Sequence, residues 1–190
     1  MQFSLIQLLY VTLAITGIML NTRQRTLAWP VALLSTGLSL YVYYSAGFYS
    51  KCFLNCIYIT LEIYGWYYWL YGGRNKTRPP VSKTSFRQLA VLPIFWLAGA
   101  WGLGSFFALF NATMPYWDSL HTAMAITGQW LTDRKKLESW GMWVLTNIVY
   151  AAVLYYKGRY LLSGVHLFYN VLAINGYRVW RQSYLAKQSV

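Results

Sequence analysis

Acidic side chains are scarce in this chain: 190 residues hold four Asp or Glu against sixteen Lys or Arg, and charged residues of every kind reach only 11%. A soluble globular domain carries about a quarter of its residues as charges, so that class is excluded. Cysteine and histidine number two each. Cys52 and Cys56 lie four apart on one expected helix, and with only His121 and His166 elsewhere they are too few for a structural zinc site, so they read as packing residues and no metal or cofactor is expected. No nucleophile paired with a base appears, which argues against a membrane enzyme. A retinal-type receptor would need a Schiff-base lysine in the last apolar run, and residues 160 to 180 contain none.

What is present is apolar and aromatic, at 57% and 19%. Windows of bilayer-spanning length recur at residues 4 to 21, 27 to 45, 52 to 71, 89 to 110, 116 to 132, 139 to 156 and 160 to 180, which predicts an all-α membrane protein of seven transmembrane helices. The start, Met1-Gln-Phe-Ser-Leu, lacks the basic n-region of a secretory signal, so the first span reads as retained. A net charge of +12 could suggest nucleic acid, but the basic residues mark topology instead. With the N-terminus outside, Arg23, Arg25, the cluster from Arg74 to Arg87, Arg134 to Lys136, Arg178, Arg181 and Lys187 all fall inside. Only Lys51, Lys157 and Arg159 fall outside. That asymmetry follows the positive-inside rule and predicts a cytoplasmic C-terminus in an inner membrane, with no nucleic-acid partner.

Ala14-Ile-Thr-Gly17 recurs as Ala125-Ile-Thr-Gly128, 111 residues later. The same offset superposes Arg23 on Arg134, Trp29 on Trp140, Gly47 on Gly158, Tyr49 on Tyr160, Tyr58 on Tyr169, Gly65 on Gly176 and Trp69 on Trp180. Each copy holds three spans, and the span between them leaves both copies in the same orientation. The expectation is a 3+1+3 arrangement: residues 1–71 a first bundle, 72–111 a basic connector and linking helix, and 112–190 a second bundle. Parallel repeats of this kind are a transporter architecture, with substrate held near the midplane where the bundles meet.

Glu62 lies deep in the third span, where an ionisable group is costly and by default functional. Helical spacing puts Asn55, Tyr58, Glu62 and Trp66 on one stripe. An amide, a phenol, a carboxylate and an indole on one face suit a flat, cationic, hydrogen-bonding ligand. The alternatives for Glu62 are a basic partner from another span, or a protonated state against a neighbouring hydroxyl. In the sixth span Trp143 and Asn147 form a second pair, and the repeat adds His166 and Tyr169 in the seventh as mates of Asn55 and Tyr58. Gln129 lies along the fifth span. Asp118, after Pro115-Tyr-Trp, reads as a helix cap, with gating as the sharper alternative shared by His121 one turn deeper. Trp29, Trp69, Tyr71, Trp140 and Trp180 read as an interfacial belt. The connector from Gly72 to Lys83 reads as topological, with possible contact to anionic lipid.

Ile63-Tyr-Gly-Trp-Tyr-Tyr-Trp69, Pro115-Tyr-Trp-Asp-Ser119, Arg134-Lys135 with Trp140 and Trp143 through Asn147, and Asn175-Gly176 with Trp180 resemble the Pnu-type bacterial vitamin transporters over nearly the whole chain. The resemblance implies a fold related to the SWEET sugar transporters. It also implies facilitated diffusion, with the vitamin trapped by a cytoplasmic vitamin kinase. In the family's nicotinamide riboside carriers the position matching Glu62 tends to hold a neutral amide, and that matching Asn55 a Gln. The carboxylate here points to the thiamine-carrying PnuT branch, with nicotinamide riboside or riboflavin as the alternative. A homo-oligomer is left open.

Overall fold

The computed structural model describes residues 5–45, 49–110 and 114–188. Seven α-helices run through them: α1 (Leu5–Thr22), α2 (Ala28–Ser45), α3 (Tyr49–Tyr71), α4 (Phe86–Ala108), α5 (Pro115–Asp133), α6 (Ser139–Tyr156) and α7 (Tyr160–Gln188). The chain start, Gly47 of the repeat and the expected 111/112 boundary lie outside the described residues. Several expected boundaries differ: α3 starts at Tyr49, three residues before its apolar window, and α4 and α7 depart from theirs as well. Ser85-Phe-Arg-Gln88 forms a capping box that starts α4 at Phe86, three residues before the apolar window opens. At the other end α7 runs eight residues past Trp180, because a helix can leave the bilayer without staying apolar.

Large apolar side chains cover the outside. Ile94, Leu97 and Trp101 of α4 are at least two-thirds exposed, and Phe53, Ile63, Leu167 and Val171 are more than half exposed. Such a surface suits lipid rather than water. Only α1 and α4 reach spanning length and hydropathy by composition alone among the described residues. The other helices carry more polar and aromatic residues; polar ones such as Asn55, Glu62, Thr146 and Asn147 turn inward, while aromatics such as Tyr41, Tyr67 and Tyr156 stay outside.

Within each copy the middle helix packs on both neighbours: α2 on α1 and α3, α6 on α5 and α7. The copies meet through α3 on α5 and α1 on α7, so six helices close a ring, and α4 leans on α5 from outside. The 111-residue offset relates details as well as elements. Gln24 and Lys135 both take positive φ, at 55° and 49°. Arg25 N–H bonds Leu20 O at 2.9 Å, and Lys136 N–H bonds Leu131 O at 2.8 Å.

At this end of the ring Trp29, Trp69, Trp140 and Trp180 form one buried layer, exposed by 4% or less. Their centroids are 5.3 Å apart for Trp29–Trp69, 5.8 Å for Trp69–Trp180 and 5.3 Å for Trp140–Trp180. The belt expectation is therefore corrected for these four. A position near a helix end sets depth, not face, and here the face is the one turned to the other copy. Tyr71 is half exposed and does suit a belt. Across the layer Trp69 Nε1 donates to Thr132 O at 3.2 Å, and Trp180 Nε1 donates to Asn21 O at 3.1 Å. Thr132 and Asn21 are themselves repeat mates, so the two bonds are reciprocal.

The connector is more than topological. Val81 is buried against Leu137, and Ser82 pairs with the α5–α6 loop through Ser82 N–H to Lys135 O at 3.0 Å and Leu137 N–H to Ser82 O at 2.9 Å. Glu138 Oε2 accepts from Thr84 N–H and Oγ1 at 2.8 and 2.9 Å. Lys135 Nζ donates to Pro79 O at 3.1 Å and stands 4.5 Å from the Trp69 ring centre. Burial, then the nearby Arg78, pulls the Lys135 ammonium down to about 8.

Two glycines make the tryptophan layer possible. A Cβ on Gly65 would overlap the Trp29 ring, and one on its mate Gly176 would overlap Trp140. Gly65→Ala and Gly176→Ala are each expected to destabilise the protein by about 1–3 kcal/mol through overpacking. Gly37→Ala, where a Cβ meets nothing within 4 Å, is the control in a thermal-unfolding series in detergent. Equal midpoints for all three variants would refute the packing account.

Candidate functional site

A cavity of about 380 Å³ occupies the centre of the ring. It runs from Tyr43 and Lys51 at one end to Trp29 and Trp140 at the other, so the tryptophan layer forms its floor. Small residues open it: Ala14, Gly17, Ala32, Ala125 and Ala173 all face it. Its size lies within the range of small-molecule sites.

Of the residues expected at the site, Asn55, Tyr58, Glu62, Gln129, Trp143, Asn147, His166 and Tyr169 all line this cavity. Glu62 is 7% exposed; Oε1 accepts from Thr36 Oγ1 at 2.9 Å, and Oε2 has no hydrogen-bond partner among the described residues. The neighbouring hydroxyl anticipated as an alternative partner is thus present. Asn55 Nδ2 donates to Ser39 Oγ at 3.0 Å, and Asn147 Oδ1 lies 3.0 Å from His166 Nδ1. Trp143 Nε1 donates to Thr132 Oγ1 at 3.0 Å, which fixes the indole against Gly128.

Trp66 does not line the cavity and is 37% exposed. A straight helix would bring it back onto the Asn55 stripe, but the buried positions on α3 are Asn55, Glu62 and Trp69, spaced by seven, with Gly65 between. At about 100° per residue Glu62, Gly65 and Trp69 all fall to one side of Asn55 and Trp66 falls to the other, so the buried face is turned away from Trp66.

Asp118 is likewise corrected. It lies in the first turn of α5, but the N-cap position is Met114 and makes no side-chain cap bond. The Asp118 carboxylate instead pairs with Lys157. It borders a smaller cavity of about 90 Å³ that shares Lys51, Leu54 and His121 with the main one. His121 lines both, stacked on Tyr150 at 3.8 Å.

Residues not anticipated are Ser35, Thr36, Ser39 and Tyr43 of α2, Lys51, Thr132, Thr146 and Asp133; Tyr150 falls on the stripe of Trp143 and Asn147 that helical spacing gives for the sixth span. The α2 set was available through the repeat, because Thr36 and Ser35 are the mates of Asn147 and Thr146. Lys51 was assigned to topology, yet it faces the cavity and donates to the Tyr150 hydroxyl at 2.9 Å.

Against known proteins, residues 4–182 match the family model described as nicotinamide mononucleotide transporter. The chain belongs to that family. It is 22% identical over 180 residues to the nicotinamide riboside transporter PnuC of Escherichia coli K12, an alignment covering 75% of this chain and 70% of that protein. The PnuC of Shigella flexneri matches with the same figures. The crystal structure of the vitamin B3 transporter PnuC superposes with a TM-score of 0.68 at 22% identity, covering 92% of this chain and 80% of that one. Membership makes this a multi-pass membrane transporter of the Pnu type, and the family's proteins are carriers rather than enzymes.

Trp143 and Trp66 give a direct comparison. Trp143→Ala is expected to weaken ligand binding by about 1 kcal/mol, the scale of a stacking contact, while Trp66→Ala leaves it unchanged. Calorimetric titration with nicotinamide riboside and with thiamine reads both. A loss at Trp66 equal to that at Trp143 would return Trp66 to the site.

Proposed function

We propose that this chain carries nicotinamide riboside across the inner membrane by facilitated diffusion. The observation that carries the reading is the central cavity itself, which sets one carboxylate among a ring of amides, phenols and imidazoles, with Trp143 as a flat wall. The riboside is a pyridinium cation with several sugar hydroxyls. Glu62 supplies the counter-charge, Trp143 faces the ring, and Asn55, Asn147, Tyr58, Gln129, His166 and Tyr169 meet the hydroxyls and carboxamide. The names of the PnuC relatives support this substrate. Transport is by rocking of two parallel three-helix repeats, SWEET-like, about the shared site, with the N-terminus outside, the C-terminus in the cytoplasm and a cytoplasmic kinase trapping the vitamin.

Thiamine is the second reading, favoured by Glu62 itself. A carboxylate with one unpartnered oxygen can meet an aminopyrimidine as well as a thiazolium cation. Charge alone does not separate the two vitamins, since both carry a quaternised ring nitrogen. The polar ring around Glu62 tips the balance toward the ligand with more hydroxyls.

Titration of the purified protein with each vitamin tests the assignment. Nicotinamide riboside is expected to bind more tightly, and tighter thiamine binding would reverse the order of the two readings. Glu62→Gln is expected to weaken the preferred cation by at least about 1 kcal/mol; an unchanged affinity would reduce Glu62 to a partner of Thr36.

A further inference from the structure

Asp133 ends α5 and is fully buried, at 0% exposure. It is a buried carboxylate at the inner end of α5, and nothing in the transport reading uses it. Oδ1 accepts from Gln129 Nε2 at 2.9 Å, one helical turn back. The same oxygen lies against Gly65 of α3, where a Cβ would approach it to 2.8 Å. The carboxylate is therefore lodged where the two bundles touch, and its hydrogen-bond partner Gln129 lines the cavity.

A glutamine amide carries a donor end and an acceptor end, and most partners tolerate either. The Asp133 oxygen turned to Gln129, Oδ1, accepts. With Asp133 behind it, the Gln129 amide turns its NH2 to Asp133, and the flipped amide would set two oxygens against each other in a buried place. The carbonyl end is left for the cavity. The repeat underlines the asymmetry: Gln129 and Asp133 have Ile18 and Thr22 as mates in the first copy, so this device exists on one side only.

We propose that Asp133 is a positioning residue that holds the Gln129 carbonyl toward the ligand, so that the site selects a ring substituent bearing an N–H donor. The proposal rests on the vitamin-carrier reading and deepens it. Both candidate vitamins carry such a donor, the carboxamide NH2 of nicotinamide riboside and the amino group of the thiamine pyrimidine.

The test is a calorimetric titration of the full chain with two probe pairs: nicotinamide riboside against 3-acetylpyridine riboside, in which methyl replaces NH2, and thiamine against its deamino analogue, in which hydrogen replaces the pyrimidine NH2. Which pair binds decides the vitamin, and the ratio within that pair decides the role of Asp133. The wild-type chain is expected to favour the NH2-bearing member by about tenfold, the scale of one buried hydrogen bond. Asp133→Asn is expected to cut that preference to about twofold, because an amide partner lets Gln129 turn. Gln129→Leu should cut it equally, with no further change on adding Asp133→Asn. A preference untouched in Asp133→Asn, or a uniform loss for both members of the pair, would make the carboxylate a packing element and overturn the proposal.

Discussion

The reciprocal bonds from Trp69 to Thr132 O and from Trp180 to Asn21 O are the constraint on which the rest of this structure depends. In each, an indole of one copy adds a bond to a carbonyl in the last helical turn of the other, one that also accepts from the turn that follows, Gln24 N–H to Asn21 O at 2.9 Å and Lys135 N–H to Thr132 O at 3.0 Å. Neither copy can close its tryptophan layer alone. Gly65 and Gly176 then admit Trp29 and Trp140, which pack over the same seam. The result is a rigid floor shared by two bundles, stapled on its far side by Val81, Ser82 and Lys135.

On this symmetric floor stands an asymmetric wall. Several facing positions keep their chemistry between copies, as Tyr58 with Tyr169 and Ser35 with Thr146 do. Others do not: Glu62 faces the place of Ala173, Gln129 that of Ile18, and Trp143 that of Ala32. In the proposed mechanism the symmetry serves motion, with two like bundles rocking about a common site. Recognition of a flat ligand with a charged ring at one end needs the opposite. The three broken pairs divide the labour, with charge on α3 and the amide and indole on α5 and α6.

Much of this was legible in the residues. Bilayer-length windows located seven helices because apolar runs of that size have few other uses. The repeat pointed to paired stripes on α3 and α7, and eight of the nine expected ligand contacts line one cavity. What failed was face, not depth. Trp66 was misplaced because the stripe was centred on Asn55, whereas the buried face lies to the side of Glu62, Gly65 and Trp69. Trp29, Trp69, Trp140 and Trp180 were sent to the lipid interface because a tryptophan near a helix end has two common uses, and only the partner helix decides between them. Asp133 escaped because it closes the apolar run beside Arg134, where a carboxylate looks like part of a polar loop. Its burial follows from the α3–α5 contact, which no local pattern encodes.

Glu62 gains a different meaning in this setting. In an apolar run its charge alone suggests selection of a cation, yet both candidate vitamins are cations. On the proposed reading the Glu62 charge favours cations as a class, with Lys51 at the other end of the cavity, and discrimination within the class falls to groups that read shape and hydrogen-bond polarity. Thr36 and Ser39 hold Glu62 and Asn55 on one side; Asp133 and Thr132 hold Gln129 and Trp143 on the other. Each ligand-facing group thus has a neighbour that removes one of its alternatives. A site that must release its cargo on every cycle cannot rely on many strong contacts. It can rely on a few whose orientation is already settled, because little ordering then opposes each binding event.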